Sequence, residues 1–318
     1  MPFTPTRRQL LAQTGVAALA AVASAPAFAD QPAPPPAPTG SPFKFCLNTS
    51  TIRGQNLPIT EEIDIAAKCG YDGIEPWLNE LDRYTQKGGS LPDLRKRLGD
   101  AGLAVPSSIA FPAWIVDDDD KRAKGLEQAK RNMDTIAQIG GLRLAAPPVG
   151  ATDVADMDLL KIAERYRALI DLGQSMGVVP ELELWGHSKT LSRLGEVACV
   201  AIESDRRGAC LLLDLYHLYK GGSGFTGLAM LRGDDLHVIH TNDYPADPPR
   251  EKINDSFRVY PGDGVAPLND IFRTLRDIGF KGYLSVELFN KDYWRQNPVK
   301  TAQIAIEKMR GAVGKALG

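Results

Sequence analysis

Residues 156–185 read DMDLLKIAERYRALIDLGQSMGVVPELELW, and this stretch holds the repeating unit of the chain. Over 156–176 apolar residues recur at helical spacing, which predicts an amphipathic helix. Gly177 follows, a residue suited to the left-handed conformation in which helices stop. Residues 178–185 are then a short, mostly apolar run, as expected of a strand buried on both faces. The same grammar recurs outward from this unit. Strands are expected at 43–51, 73–77, 104–111, 143–147, 178–185, 210–216, 236–241 and 282–288. Helices are expected at 60–68, 91–101, 121–139, 156–176, 191–205, 224–232, 267–278 and 299–317. Gly70, Gly102, Gly140, Gly177, Gly208 and Gly279 each close a helix just before a strand, so the connecting turns are very short. Eight strands alternating with eight helices favour a closed (βα)8 barrel over an open sheet. No G-x-G-x-x-G follows the first strand, so a dinucleotide-binding sheet has no support.

The N-terminus stands apart from this pattern. Thr6-Arg7-Arg8-Gln9-Leu10-Leu11 precedes an Ala-rich apolar run, and Ala27-Phe28-Ala29 offers a cleavage site. Residues 1–29 therefore predict a twin-arginine signal peptide and an exported, periplasmic protein with no membrane anchor after cleavage. Residues 30–42 are proline-rich and predict a disordered linker. The barrel then takes residues 43–318 as one domain, within the usual size of the fold. Net charge is −2, which disfavours nucleic acid and anionic membranes and leaves a small molecule as the partner, with room for a homo-oligomer. The four cysteines show no C-x-x-C spacing and read as buried free thiols, with a Cys199–Cys210 bridge left open.

In such a barrel the active site lies at the C-terminal strand ends. There, Leu182-Glu183-Leu184-Trp185, Leu213-Asp214-Leu215-Tyr216-His217, Ile239-His240-Thr241-Asn242-Asp243 and Val286-Glu287-Leu288 each interrupt an apolar strand with an ionisable residue. Three converging carboxylates would repel one another, and each would be costly to bury alone. One divalent cation resolves both problems. Glu183, Asp214, His240 and Glu287 are the expected ligands. A mostly oxygen donor set suits Mn²⁺ first, with Co²⁺, Mg²⁺ or Zn²⁺ as alternatives.

These segments, together with Gly70-Tyr71-Asp72-Gly73-Ile74-Glu75 and Arg258-Val259-Tyr260-Pro261-Gly262-Asp263-Gly264, resemble the xylose isomerase-like TIM barrel superfamily and its sugar phosphate isomerase/epimerase group. The resemblance spans nearly the whole of 43–318. It implies metal ligation by Glu183, Asp214, His240 and Glu287, and substrate contacts from His217 and Arg258. It also implies that Glu183 and Glu287 act as acid and base on opposite faces of a sugar, through a cis-enediolate. The family's ketose 3-epimerases carry a further glutamate about where this chain has Lys189.

Glu75, at the end of the second strand, could bind substrate or a partner across the barrel; His187 and Trp185 are further expected substrate contacts, and Trp77 and Phe111 could stack on a sugar or pack in the core. His237 reads as structural. The long connection 242–264, which carries Arg258, should cover the site. The acidic run 117–120 reads as a solvated helix start. The leading functional expectation is a metal-dependent isomerase or epimerase of a non-phosphorylated sugar or keto-sugar. The alternative is a lyase or dehydratase acting on a keto-sugar, keto-glycoside or inosose. An apurinic-site endonuclease would need more histidines than His187, His217, His237 and His240. A non-catalytic sugar binder would be expected to have lost the ligands.

Overall fold

A computed structural model describes residues 40–318. The expected signal peptide and most of the linker lie outside the described residues. The fold is an α/β barrel around a curled, all-parallel sheet of seven strands. They are β1 (Lys44–Asn48), β2 (Gly73–Glu75), β3 (Arg143–Ala146), β4 (Val179–Glu183), β5 (Leu211–Asp214), β6 (Leu236–Thr241) and β7 (Tyr283–Val286). Their order is β2-β1-β7-β6-β5-β4-β3. The helices are α1 (Ile59–Lys68), α2 (Leu78–Gln86), α3 (Leu91–Asp100), α4 (Asp119–Gln138), α5 (Leu159–Met176), α6 (Leu194–Glu203), α7 (Leu215–Gly221), α8 (Leu268–Asp277) and α9 (Pro298–Leu317).

The strand expected at 104–111 is replaced by an irregular segment that closes the barrel. On one side Ile74 N–H donates to Ala104 O and Ile109 N–H to Pro76 O. On the other, Ser108 N–H donates to Arg143 O and Ala145 N–H to Ser108 O. Pro106 has no N–H to offer, so a regular ladder cannot run through it. The strand expected at 210–216 stops at Asp214, whose side chain accepts the His217 N–H at 2.8 Å and starts α7. The stretch 224–232 forms only a 3-10 turn, Phe225–Met230. α2 was not expected. Its start is fixed by Glu80, which accepts the Trp77 N–H at 3.0 Å.

All six helix-stopping glycines have positive φ, from 68° at Gly102 to 91° at Gly208. The main core packs the outer faces of the strands against α1, α3, α4, α5, α8 and α9, while a separate small cluster of Ile109, Ala145, Leu212 and Val238 fills the barrel interior. All four cysteines are free. Among the described residues, no helix is long and apolar enough to cross a membrane.

Candidate active site

Three strands bring three ligand-type side chains together. Asp214 ends β5 and pairs in register with His240 on β6, while Glu287 lies one residue past β7. Their ligand atoms all lie within 4.8 Å of one another, and all three residues are buried. His240 Nδ1 faces Glu287 Oε2 at 3.2 Å and Asp214 Oδ2 at 3.7 Å, yet makes no aligned hydrogen bond. An imidazole nitrogen with no hydrogen-bond partner, beside two carboxylates, is the donor set a divalent ion requires. These residues therefore fit the expected metal.

The other side of the imidazole explains why Nδ1 faces that way. His240 Nε2 lies 3.1 Å from Glu75 Oε2. Glu75 also accepts from Asn48 Nδ2 at 2.9 Å and Ser285 Oγ at 2.7 Å. Burial opposes its charge, but His240, Ser285 and Asn48 outweigh that and hold its carboxyl below the ordinary range. Glu75 is open by sequence to substrate or to a partner across the barrel, and the structure gives it the partner, His240. It lies beneath the site, fully buried, with its oxygens engaged by His240, Asn48 and Ser285. Burial also opposes charge on His240, yet Glu287 and Glu75 on either side keep it well above the ordinary histidine range.

The connection 242–264 delivers Arg258 into the site. Asp243 clamps its two ends, accepting N–H groups of Tyr244, Gly262, Gly264 and Ala266 at 2.8–3.1 Å. A Cβ at Gly264 would lie 2.3 Å from Asp243 Oδ1, so this clamp requires glycine. The Arg258 guanidinium is fully buried. Its Nη1 donates to Asp214 Oδ2 at 2.7 Å and Glu287 Oε2 at 2.9 Å, and its Nη2 donates to Asp255 Oδ1 at 2.5 Å. Nη2 also lies 3.1 Å from His217 Nε2. Arginine has only donors, so His217 Nε2 accepts and its proton sits on Nδ1. Burial pushes His217 down to about 4, so the ring is neutral at pH 7. Its buried Nδ1–H has no protein partner and is free to donate to a bound oxygen.

Glu183 ends β4 beside this cluster, outside the tight group of three. Burial pushes its carboxyl up to about 8, and its Oε2 has no partner. For Glu287, burial also opposes charge, but His240 and Arg258 hold it below the ordinary range. The two glutamates are thus pushed in opposite directions while lining one cavity of about 500 Å³. His217, Arg258, Trp185 and His187 line that cavity too, as do Trp77 and Phe111. Lys189 is exposed and does not line it. Asn48, Asn242, Asp255 and Ser285 were not anticipated. Asn242 donates to Asp214 Oδ2 at 3.1 Å and accepts the Tyr216 N–H at 2.9 Å. Its place two residues after His240 was the available signal.

The family model described as xylose isomerase-like TIM barrel matches residues 63–312. The chain belongs to that family. It is 27% identical over 281 residues to an inosose isomerase of Bacillus velezensis, covering 86% of this chain and 98% of that one. It is 25% identical over 250 residues to a 3-dehydroshikimate dehydratase of Pseudomonas aeruginosa, covering 76% of this chain but only 38% of that protein. In structure it resembles the IOLI protein crystallised with a zinc atom, with TM-score 0.80 and 24% identity over 87% of this chain and all of that one.

Proposed function

We propose that this protein is a divalent-metal-dependent isomerase or epimerase of a non-phosphorylated sugar or keto-sugar. The observation that carries the reading is geometric: Glu183 and Glu287 line one cavity beside the buried group Asp214, His240 and Glu287, with burial raising the first carboxyl and His240 and Arg258 lowering the second. Environments that push two carboxyl groups apart in pKa assign acid and base. Glu287 is ionised and removes the proton next to the substrate carbonyl. Glu183, whose carboxyl burial raises, returns a proton, on the opposite face for epimerisation or at the neighbouring carbon for isomerisation. His217 donates from Nδ1 to a substrate oxygen, and Arg258 holds the negative charge of the site in place. Asp214, His240, Glu287 and Glu183 would hold the ion, which supplies Lewis acidity to the charge developing on the carbonyl oxygen. The oxygen-rich donor set favours Mn²⁺, and the zinc of the IOLI protein keeps Zn²⁺ in the test panel.

Two features support an unphosphorylated substrate. Arg258, the buried guanidinium of the cavity, is already shared among Asp214, Glu287 and Asp255. The twin-arginine sequence at Arg7-Arg8 also points to a periplasmic protein, away from the main pool of sugar phosphates. The 3-dehydroshikimate dehydratase relative favours a second reading, in which the same proton removal expels a leaving group as a lyase. Keto-sugars and 3-keto-glycosides incubated with Mn²⁺-loaded protein in D₂O separate these outcomes by NMR. Deuterium at the carbon beside the carbonyl with the substrate otherwise intact supports the isomerase or epimerase. Loss of water or aglycone supports the lyase, and no exchange anywhere in the panel rejects both.

A further inference from the structure

The acid–base pair occupies the floor of the cavity, and aromatic rings make up its mouth. Trp77, Phe111, Trp185, Phe289 and Trp294 all line it. Phe111 bridges Trp77 and Trp185, with ring centres 5.2 and 6.0 Å away. Phe289 lies 6.0 Å from Trp77 and 6.5 Å from Trp294. His187 stacks on Trp185 at 5.2 Å, backing that ring from one side.

The belt is held rigidly from behind. Trp77 Nε1 donates to Asn48 Oδ1 at 2.9 Å, and Trp294 Nε1 to the Ser50 carbonyl at 2.9 Å. The indole N–H groups of Trp77 and Trp294 are therefore used up by the protein, and these two rings offer a ligand only apolar surface. The Arg53 guanidinium covers one face of Trp77 at 3.4 Å. Phe111 nevertheless stays 37% exposed at the rim, as core packing alone would not leave it. The belt also lies close to the chemistry, because Asn48 donates from Nδ2 to Glu287 Oε1 at 3.2 Å. One side chain thus touches both the tryptophan of the belt and the base on the floor.

A cavity of about 500 Å³ lies within the range, about 300–1,000 Å³, that takes drug-sized ligands. We propose that the substrate is a keto-glycoside, with its keto-sugar ring on the floor and a second flat-faced ring, sugar or aryl, resting on the aromatic belt. This rests on the proposed proton-transfer chemistry for the keto-sugar half, and it adds the glycosidic second ring. Phe111 and Trp185 are then specificity residues that bind the second ring and leave the reacting carbon to the glutamates.

The test is equilibrium binding by tryptophan fluorescence to the full-length, Mn²⁺-loaded protein. The probes are the 3-keto forms of methyl β-glucoside, phenyl β-glucoside and cellobiose. At least one two-ring probe is expected to bind about tenfold more tightly than the methyl glycoside, the worth of one good aromatic stack. A preference for the phenyl probe assigns an aryl second ring, and a preference for the cellobiose probe assigns a sugar. Phe111→Ala, at an exposed position that does not threaten folding, and Trp185→Leu should each reduce the affinity ratio to about threefold or less. Equal affinities, no binding by any probe, or a preference that survives both variants overturns the proposal. Failure of the proton-transfer reading looks different: probes that bind with the expected preference but take up no deuterium.

Discussion

Replacing Glu75 with glutamine leaves the cavity walls untouched and removes one buried charge behind His240. The carboxylate lies 3.1 Å from Nε2 and also holds Asn48 and Ser285. Hydrogen bonds to a charged partner are worth about 1.5–3 kcal/mol, and neutral ones about 0.5–1.5 kcal/mol. The His240 bond alone should therefore weaken by about 1–1.5 kcal/mol, or about tenfold in divalent-ion affinity. That agrees with the roughly 10- to 100-fold losses seen when the partner behind a metal-bound histidine is changed. Glu75→Ala should lose more and also destabilise the fold, because Ser285 and His240 Nε2 would lack a buried partner and Asn48 would keep only Glu287. The assay is competition with a chelating dye for Mn²⁺ and Zn²⁺ by chelator-stripped protein, with thermal melts to confirm folding. A Glu75→Gln dissociation constant within about threefold of wild type, where Glu287→Gln abolishes binding, would refute the reasoning. His240 would then need no support from behind, or would not be a ligand.

Three further outcomes follow from particular contacts. Arg258→Met should bind divalent ions several-fold more tightly by the same competition assay, because Nη1 now occupies Asp214 Oδ2 and Glu287 Oε2; weaker binding would mean that arginine organises the ligands instead of competing for them. Glu62 is buried on α1 with an unpartnered oxygen, and burial pushes its carboxyl up to about 9. A carboxyl raised in the fold costs stability as pH climbs from the unfolded value toward the folded one, so Glu62→Gln should be nearly neutral at pH 4 and stabilising by up to about 3 kcal/mol at pH 7, read as a gap in melting temperature that widens with pH. Gly264→Ala should cost about 1–3 kcal/mol in chemical denaturation, since its Cβ would lie 2.3 Å from both Asp243 Oδ1 and the Tyr244 carbonyl; a cost below about 0.5 kcal/mol would show that the clamp yields.

Much of the barrel was legible because its signals are local. Helical periodicity and the glycine after each helix mark the βα repeat, and the strand-end rule places Glu183, Asp214, His240 and Glu287 at one rim. That rule gives height along the barrel but not what a side chain faces. Glu75 meets the same criterion and yet lies under His240, because β2 reaches β6 only across the barrel interior. Arg258 comes from a loop whose path depends on the Asp243 clamp, a set of contacts spread over more than twenty residues in sequence. The departures at 104–111 and 210–216 have equally concrete causes. Pro106 breaks the ladder expected at 104–111, and Asp214 bends the chain into α7 by capping it. α2 escaped notice because LNELDRYTQ has few apolar positions, and its start depends on Glu80 reaching back to Trp77.

The most direct test is crystallographic. Crystals of the protein soaked in Mn²⁺ should show one anomalous peak among Asp214, His240 Nδ1 and Glu287, with Glu183 closing the set at ordinary ligand distances of about 2.0–2.2 Å. The peak should vanish in His240→Ala. No peak there, or a peak that persists without His240, would contradict a metal centre built on these residues.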